Sequence, residues 1–388
     1  MIAFLAKIFI RNHHNYTDPT VRQKYGILCS LAGIGLNLLL FGGKCFIGLL
    51  TGSIAVTADA FNNLSDAGSA VITLAGFRLS GQKPDPQHPF GHGRFEYIAG
   101  LFVSFLILLM GFELASTSLD KILNPQTVEF RWITVIILSA SVLVKLYMGL
   151  YNRSVGKKIK SAAMMATMTD SLSDAAATTV ILICTILSNF TTLNLDGYCG
   201  MAVALMIFVA GIRSAKETVS PLLGQPPEKE FVEQVEKTVL SYEGIVGIHD
   251  LIVHDYGPGR KIISLHAEVP GDANLWETHD LIDNVEQELA NELNSIVVIH
   301  MDPIAVSDVA TLQLRNAIAE ELKEIHPKIT LHDFRAVPGP THTNVIFDAV
   351  LPFDSKLSEE EAQEKIVTLI AERHENTNAV IQIDRSFT

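Results

Sequence analysis

Long apolar segments dominate the first half of the chain. Six of them reach the length of about 20 residues that a helix needs to cross a bilayer. Short polar connections separate them, so they predict a bundle of spanning helices. The predicted spans are roughly 26–50, 53–79, 95–118, 131–153, 164–188 and 194–216.

The pattern changes after GQPPEKE, residues 224–230, where two prolines interrupt the helical run. Shorter amphipathic and strand-like segments follow, in the order α-β-β-α-β, which predicts a small open sheet with helices on one face. These segments are 231–242, 247–254, 261–269, 275–292 and 295–301.

The end of the chain repeats this unit. GIHDLIVHDYGPGRKIISLHAEVP aligns with TLHDFRAVPGPTHTNVIFDAVLP, and helices predicted at 309–325 and 358–374 occupy matching positions. The offset is 83 residues for His249 with His332, and 82 for His266 with Asp348 and Asp302 with Asp384. A steady offset indicates two tandem copies of one fold. The predicted domains are 1–25, 26–218, 225–305 and 306–388.

Charge separates the two halves. Residues 1–224 carry 17 Lys and Arg against 12 Asp and Glu, whereas residues 225–388 carry 12 against 30. No basic face is available for a phosphate backbone, so nucleic-acid binding is disfavoured. The four cysteines form no CxxC pair, which disfavours a disulfide framework or a zinc knuckle.

The basic residues also predict the orientation. Thirteen Lys and Arg flank the spans on one side, while only Lys121 and Arg131 lie on the other. Because loops rich in Lys and Arg remain on the cytoplasmic side of a membrane, both termini are expected in the cytoplasm. The chain is expected to be a multi-pass protein of the cell (inner) membrane.

Polar residues interrupt two predicted spans. FNNLSD places Asn62 and Asp66 on one helix face, and DSLSD does the same for Asp170 and Asp174. Intramembrane acids cost several kcal/mol and usually have a function. If the helices meet, four oxygen donors form a cation site. Alternatively, each acid lies near a helix end and reaches water. Oxygen donors suit Mn²⁺, Mg²⁺ or Ca²⁺, whereas zinc sites favour nitrogen and sulfur.

The loop DPQHPFGH contains a second candidate set, Asp85, His88 and His92. Spacings of three and four residues can close on a metal ion. The alternative is a turn-forming loop, since Pro and Gly punctuate this segment.

These motifs resemble the cation diffusion facilitator family of divalent-metal/proton antiporters over about residues 26–305. The family carries ligand pairs four residues apart on its second and fifth helices, and a loop HxFGHGxxE, here HPFGHGRFE from His88 to Glu96. The resemblance implies a homodimer with six helices and a metallochaperone-like cytoplasmic α+β domain (ferredoxin-like αββαβ). The donor set is similar to that of the manganese-exporting branch.

The resemblance also implies a binuclear metal site in the first cytoplasmic copy, at a dimer interface. The implied ligands are His249, His266, His279, His300 and Asp302. Surface histidines on an acidic domain are the alternative. The second copy is an addition to the common architecture of the family. At the positions that match the ligands of the first copy it has His332, Asp348, Gln382 and Asp384. Its expected role is therefore structural or dimer-forming.

One departure from the family concerns Arg94. Many zinc-transporting members pair a basic residue here with an acid after the sixth helix, and that position is Gly224 in this chain. That pair is therefore not expected here, and other contacts are expected to hold the hinge.

The leading hypothesis is a secondary transporter that exports a divalent metal, Mn²⁺ first and Zn²⁺, Fe²⁺ or Co²⁺ as alternatives, in exchange for protons. The transported metal is the expected ligand, no further cofactor is implied, and the chain is not expected to be an enzyme. The alternatives are a membrane-tethered metal sensor and a membrane hydrolase. Against the hydrolase, no HExxH motif is present.

Overall fold

The computed structural model describes residues 1–51, 54–124, 132–187, 196–305, 308–353 and 355–386. The chain divides into two compact units. The first comprises Met1–Gln225 with the short turn Asp255–Arg260, and the second comprises Pro226–His254 with Lys261–Thr388.

The first unit is a helical bundle in which a short helix, α1 (Ile2–Phe9), precedes six long ones. The shortest of the six has 26 residues, which at about 1.5 Å per residue exceeds a hydrocarbon core of about 30 Å. The long helices are α2 (Pro19–Thr51), α3 (Ile54–Ser80), α4 (Phe95–Leu123), α5 (Trp132–Lys158), α6 (Ala162–Leu187) and α7 (Asp196–Leu223).

Counted over the described residues, four of these helices are both long enough and apolar enough to cross a membrane: Pro19–Ile47, Phe95–Leu123, Trp132–Lys158 and Gly197–Leu223. The other two, α3 and α6, have comparable length but carry the polar motifs. The prediction of spanning helices is confirmed for four, and the count of six stays a prediction. The predicted boundaries at 53, 131, 188 and 194 lie outside the described residues.

Small residues bring the helices together. A Cβ added at Gly76 of α3 would overlap the side chain of Ala99 on α4. Because helices surrounded by lipid gain no hydrophobic free energy from associating, close van der Waals packing through small residues contributes much of the association free energy. One turn earlier on α3, the hydroxyl oxygens of Thr73 and of Thr167 on α6 lie 3.2 Å apart, which joins α3 to α6. The two helices with polar motifs are therefore neighbours.

A buried ion pair closes the end of the bundle where α2, α4 and α6 begin. Arg22 makes a two-pronged contact with Glu96, at 2.5 Å (Nη1 to Oε2) and 2.8 Å (Nη2 to Oε1). The Ser161 hydroxyl donates to Glu96 Oε1, and Arg22 Nε donates to the Ile159 carbonyl. Glu96 is 0 % exposed. A buried charge is tolerated only when its partners satisfy it, so this network ties the three helix ends together.

The second unit contains two α-β-β-α-β copies, each with its own hydrophobic core. The sheets have the orders β1-β2-β3 and β4-β5-β6, and the last two strands of each are parallel. The predicted element order is confirmed. The first copy contains α8 (Lys229–Val239), β1 (Gly247–Asp255), β2 (Lys261–Pro270), α9 (Leu275–Leu293) and β3 (Ile296–Ile304); the second contains α10 (Val309–Leu322), β4 (Thr330–Pro338), β5 (Thr343–Pro352), α11 (Glu359–Arg373) and β6 (Thr377–Ser386).

Backbone geometry recurs between the copies. Asp250 and Asp333 both adopt left-handed conformations, with φ of 51° and 48°, and so do Asn294 and Asn376, with φ of 48° and 57°. Asp and Asn are the non-glycine residues that most readily accept this conformation. The same irregularity in the first strand and the same turn before the last strand therefore occur in both copies, as a tandem repeat predicts.

Candidate metal centres

Three acidic residues from two helices meet inside the bundle. Asp66 of α3 and Asp170 and Asp174 of α6 each offer a carboxylate oxygen, and these oxygens lie within 4.8 Å of one another. Asp170 is buried and the other two are half-buried. The four-residue spacing puts both acids of α6 on one face, and the contact between α3 and α6 brings Asp66 opposite them.

Asn62, the fourth predicted donor, lies one turn before Asp66 on α3. Its side chain is exposed and lines the same cavity as the three carboxylates. The three carboxylates are thus clustered within 4.8 Å of one another, and the Asn62 amide lies in the wall of the same cavity.

The cavity has a volume of about 390 Å³ and extends from the carboxylates toward the end of α4, where Ser118 and Lys121 belong to its wall. On the other side of Asp66 and Asp170, the remaining space is only about 10 Å³. Buried side chains surround that small space, among them Cys29, Asn37, Met148 and Met164. An ion held by the carboxylates has room to move in one direction and is blocked by packed side chains in the other.

A basic residue that the sequence reasoning missed contacts this centre. Lys145 of α5 donates from Nζ to Asp66 Oδ2 and to Asp174 Oδ2, each at 2.6 Å. A signal was available, because Lys145 lies in the middle of an apolar span, where basic residues are as rare as acidic ones. Its partners could not be read from the sequence, since spacing along one helix does not reveal a neighbouring helix.

The loop set also comes together. Ligand atoms of Asp85, His88 and His92 lie within 4.8 Å of one another, and the two histidine rings are 4.6 Å apart. Asp85 Oδ1 also accepts hydrogen bonds from the backbone amides of Gln87 and His88. Hydrogen bonding from the His88 backbone is the main cause that lowers the pKa of Asp85. Both the metal-binding and the turn-forming interpretations fit this geometry.

Arg94, at the end of the same loop, contacts the turn Asp255–Arg260. Its Nε and Nη2 donate to the Asp255 carbonyl at 3.1 and 2.8 Å, and its guanidinium lies 4.6 Å from the centre of the Tyr256 ring. A Cβ at Gly93 would come within 2.6 Å of the Tyr256 carbonyl oxygen, so this close approach needs glycine. These contacts hold Arg94.

A third cluster surrounds Asp302 in the first copy of the second unit. Its Oδ2 lies 3.1 Å from His249 Nε2 and 2.8 Å from His266 Nδ1. His249 is 8 % exposed, and within the part of the chain that the structure describes neither of its ring nitrogens has a well-aligned hydrogen-bond partner. Buried polar groups are normally hydrogen-bonded, so a buried imidazole without one is well suited to bind a metal ion.

The two remaining predicted ligands of this copy differ in placement. His300 is exposed, but its Nε2 lies 3.4 Å from Asp302 Oδ1, and its ring is 4.8 Å from that of His266. His279 on α9 is exposed and pairs with Asp283, one turn later, at 3.5 Å. The structure brings His300 to the edge of the cluster and leaves His279 beside its own helix neighbour.

The second copy repeats the strand register of the first, but other residues stand where the first copy has His266 and His300. His266 faces His300 across the parallel strands of the first copy, and Asp348 faces Gln382 in the second. Burial is the main cause that raises the pKa of Asp348, and Asp384 adds to it.

One histidine of the second copy reaches the first. The ring of His332 stacks on that of His249 with centroids 5.2 Å apart. Burial, followed by the neighbouring His249, lowers the pKa of His332 to about 4. The neutral ring thus covers a residue of the Asp302 cluster, a contact between repeats that the alignment did not reveal.

Comparison with known proteins gives matches over most of the chain. Residues 30–223 match the family model described as the cation efflux transmembrane domain, and residues 227–304 match the cation efflux protein cytoplasmic domain. An uncharacterized transporter of Methanocaldococcus jannaschii is 31% identical over 270 residues, which are 70% of this chain and 93% of that protein. The cation-efflux pump FieF of Cronobacter sakazakii is 28% identical over 290 residues, 74% of this chain and 96% of that protein.

These matches agree with the geometry of the bundle. The transmembrane match spans α2 to α7 and includes the carboxylate cluster, while the cytoplasmic match covers the first α-β-β-α-β copy and ends before the second. Together with the apolar helices, they identify a multi-pass membrane protein. The chain belongs to the cation diffusion facilitator family.

Proposed function

We propose that this protein exports a divalent metal cation, most favourably Mn²⁺, from the cytoplasm in exchange for protons. The observation that carries the proposal is the meeting of Asp66, Asp170 and Asp174 at the head of the cavity inside the bundle. Three acids in hydrocarbon are costly and are retained where a cation passes. The relatives named as cation-efflux pumps support the same activity.

The donor chemistry supports Mn²⁺. Asn62 and the three aspartates offer only oxygen, which suits hard cations, whereas Zn²⁺ favours nitrogen and sulfur. Zn²⁺, Fe²⁺ and Co²⁺ efflux by the same route is the alternative.

The cavity and the distribution of basic residues support the direction of export. Six spans with both termini in the cytoplasm put the start of α4 inside and its end outside, so the cavity leads outward. Protons replace the metal on the aspartates, because neutral carboxyls cost less in a dry site than unpaired anions. No covalent step is required, so the protein acts as a carrier and not as an enzyme.

The cytoplasmic domain forms the homodimer, as the match to the family's cytoplasmic domain supports. Metal bound at His249, His266 and Asp302, with His300 beside them, offsets the negative charge of this domain. The loop set Asp85, His88 and His92 is a further peripheral site. The second copy, 306–388, has a structural or dimer-forming role.

Transport in sealed vesicles tests the function itself. We expect proteoliposomes with an acidic interior to take up Mn²⁺, because protons that leave the vesicle drive the metal inward. A membrane-tethered sensor, the alternative function, would bind Mn²⁺ without this flux.

Asn62→His is expected to raise Zn²⁺ flux and lower Mn²⁺ flux, changing their ratio about ten-fold, or roughly 1.4 kcal/mol. The reason is that imidazole is a better zinc ligand than an amide oxygen. The ratio is measured in proteoliposomes, with the exposed Asn124→His as control. An unchanged ratio with both fluxes reduced would mean that Asn62 does not touch the ion.

Asp302→Ala is expected to lower the metal content of the purified full chain by about one ion, because this carboxylate bridges the histidines of the cluster. Asp384→Ala, the equivalent change in the second copy, is the matched control and leaves the content unchanged. Metal is measured by mass spectrometry after equilibration with Mn²⁺ or Zn²⁺ and desalting. Equal content in Asp302→Ala and the wild type would contradict a metal site at this cluster.

A further inference from the structure

Lys145 joins the carboxylate cluster from a third helix. It is 3 % exposed, and its ammonium bridges Asp66 of α3 and Asp174 of α6 with two 2.6 Å hydrogen bonds. The third carboxylate, Asp170, has an oxygen within 4.8 Å of those two. Three negative groups thus surround one positive group inside an apolar bundle.

The Lys145 ammonium and a divalent cation would bind the same carboxylate oxygens of Asp66 and Asp174. A hard divalent ion binds carboxylate oxygen at about 2.0–2.6 Å, so an ion held by Asp66 and Asp174 would occupy the space between them. The Lys145 Nζ already lies at hydrogen-bond distance from both of those oxygens. Two positive groups so close in a region of low dielectric repel strongly. The two occupants are therefore mutually exclusive.

We propose that Lys145 is a tethered cation that competes with the transported metal for Asp66 and Asp174. This rests on the proposed function and adds a step to it. The incoming metal binds first at Asp170 and then displaces the ammonium from the other two carboxylates. When the metal leaves toward the outer end of the cavity, Lys145 returns and prevents its rebinding.

A purely structural ion pair is the other interpretation of Lys145. The surroundings favour the competitor, because the acids and Lys145 all line the cavity of about 390 Å³. An ion pair that only held α3, α5 and α6 together would be equally stable in a fully packed site. The cavity gives the side chain room to withdraw, and Ser141, on the same helix and in the same wall, offers it a hydroxyl.

The test is Mn²⁺ binding to the full chain in lipid nanodiscs at constant pH, measured by titration calorimetry. A competing internal cation multiplies the apparent association constant for the metal by the fraction of molecules whose site is free. Lys145→Met is therefore expected to tighten binding at the membrane site about ten-fold or more. Because tighter complexes usually dissociate more slowly, Mn²⁺ flux at saturating concentration is expected to fall. Unchanged or weaker binding would overturn the proposal.

Matched variants separate charge from shape and location. Lys157→Met makes the same change at an exposed position of α5 and leaves affinity and flux unchanged. Asp302→Ala in every sample removes the contribution of the Asp302 cluster to the titration, and Asp85→Ala removes that of the loop set. Lys145→Gln tests the same charge loss if Lys145→Met fails to fold. If neither folds, amine labelling of Lys145 in the wild type, read by mass spectrometry, is expected to rise with Mn²⁺, and no rise overturns the proposal.

The outcomes also distinguish this inference from the function on which it rests. If Mn²⁺ flux survives in Asp170→Asn, the transport site itself is wrong. If that variant is inactive while Lys145→Met binds Mn²⁺ as the wild type does, the carboxylates bind the metal and Lys145 is only structural.

Discussion

Asp170→Asn is expected to reduce Mn²⁺ transport to the level of protein-free vesicles. The substitution keeps the shape of the side chain and removes the charge of one of the three clustered carboxylates, the buried one. Loss of a residue that only supports a metal ligand typically costs about 10- to 100-fold in affinity or activity. Loss of a ligand that touches the ion is expected to cost at least about 100-fold. Initial Mn²⁺ flux into proteoliposomes measures the effect.

The same loss is expected for Asp66→Asn and Asp174→Asn, because all three carboxylates share one cluster. Asp120→Asn is the matched control, since this exposed acid at the end of α4 hydrogen-bonds Asn124. Each variant must elute as the wild-type oligomer in size-exclusion chromatography. Near-normal flux in any of the three cluster variants would show that the ion takes another route.

Glu96→Ala is expected to destabilise the bundle by about 3–5 kcal/mol, the usual cost of removing one partner of a buried ion pair. The change leaves the Arg22 guanidinium without its two-pronged partner, and it also removes the acceptor of the Ser161 hydroxyl. The free energy of unfolding is measured in detergent micelles by denaturant titration.

A second substitution tests whether the unpaired charge causes this loss. Arg22→Leu combined with Glu96→Leu removes both charges and is expected to be more stable than Glu96→Ala, because buried ion pairs often contribute little net stability. Asp120→Ala, at an exposed site, is expected to change stability by no more than about 0.5 kcal/mol. If the double variant is as unstable as Glu96→Ala, packing and not charge accounts for the effect.

The architecture was readable from local patterns. The apolar runs gave the approximate position of the six long helices, since a buried or spanning helix needs an uninterrupted apolar length. The alternating segments after residue 224 located the strands within a few residues. The constant offset between matching residues reveals the repeat. Matching residues recur because equivalent backbone positions, such as the left-handed Asp250 and Asp333, need the same residue type.

The candidate membrane site was readable only in part. A spacing of four placed Asp170 and Asp174 on one face of α6, and the same rule placed Asn62 and Asp66 on one face of α3. Helix spacing alone does not show that these faces meet, and only the family resemblance supports that assumption at the level of the sequence. The role of Lys145 could not be predicted because its partners are on other helices. The same holds for the ion pair of Arg22 with Glu96, which lies 74 residues away.

The sequence by itself determined which segments are helices and strands, which residues are chemically able to bind a metal, and that one unit occurs twice. Helices, strands and ligand types depend on periodicity and side-chain chemistry over a few neighbouring residues, and the repeat depends on similarity between two segments of the same chain. Only the tertiary structure decided that Lys145 bridges two candidate ligands, that His332 covers His249, and that His279 pairs with Asp283. Such contacts depend on how side chains pack between elements distant in sequence, or on which rotamer a side chain takes, and neither is encoded in local spacing.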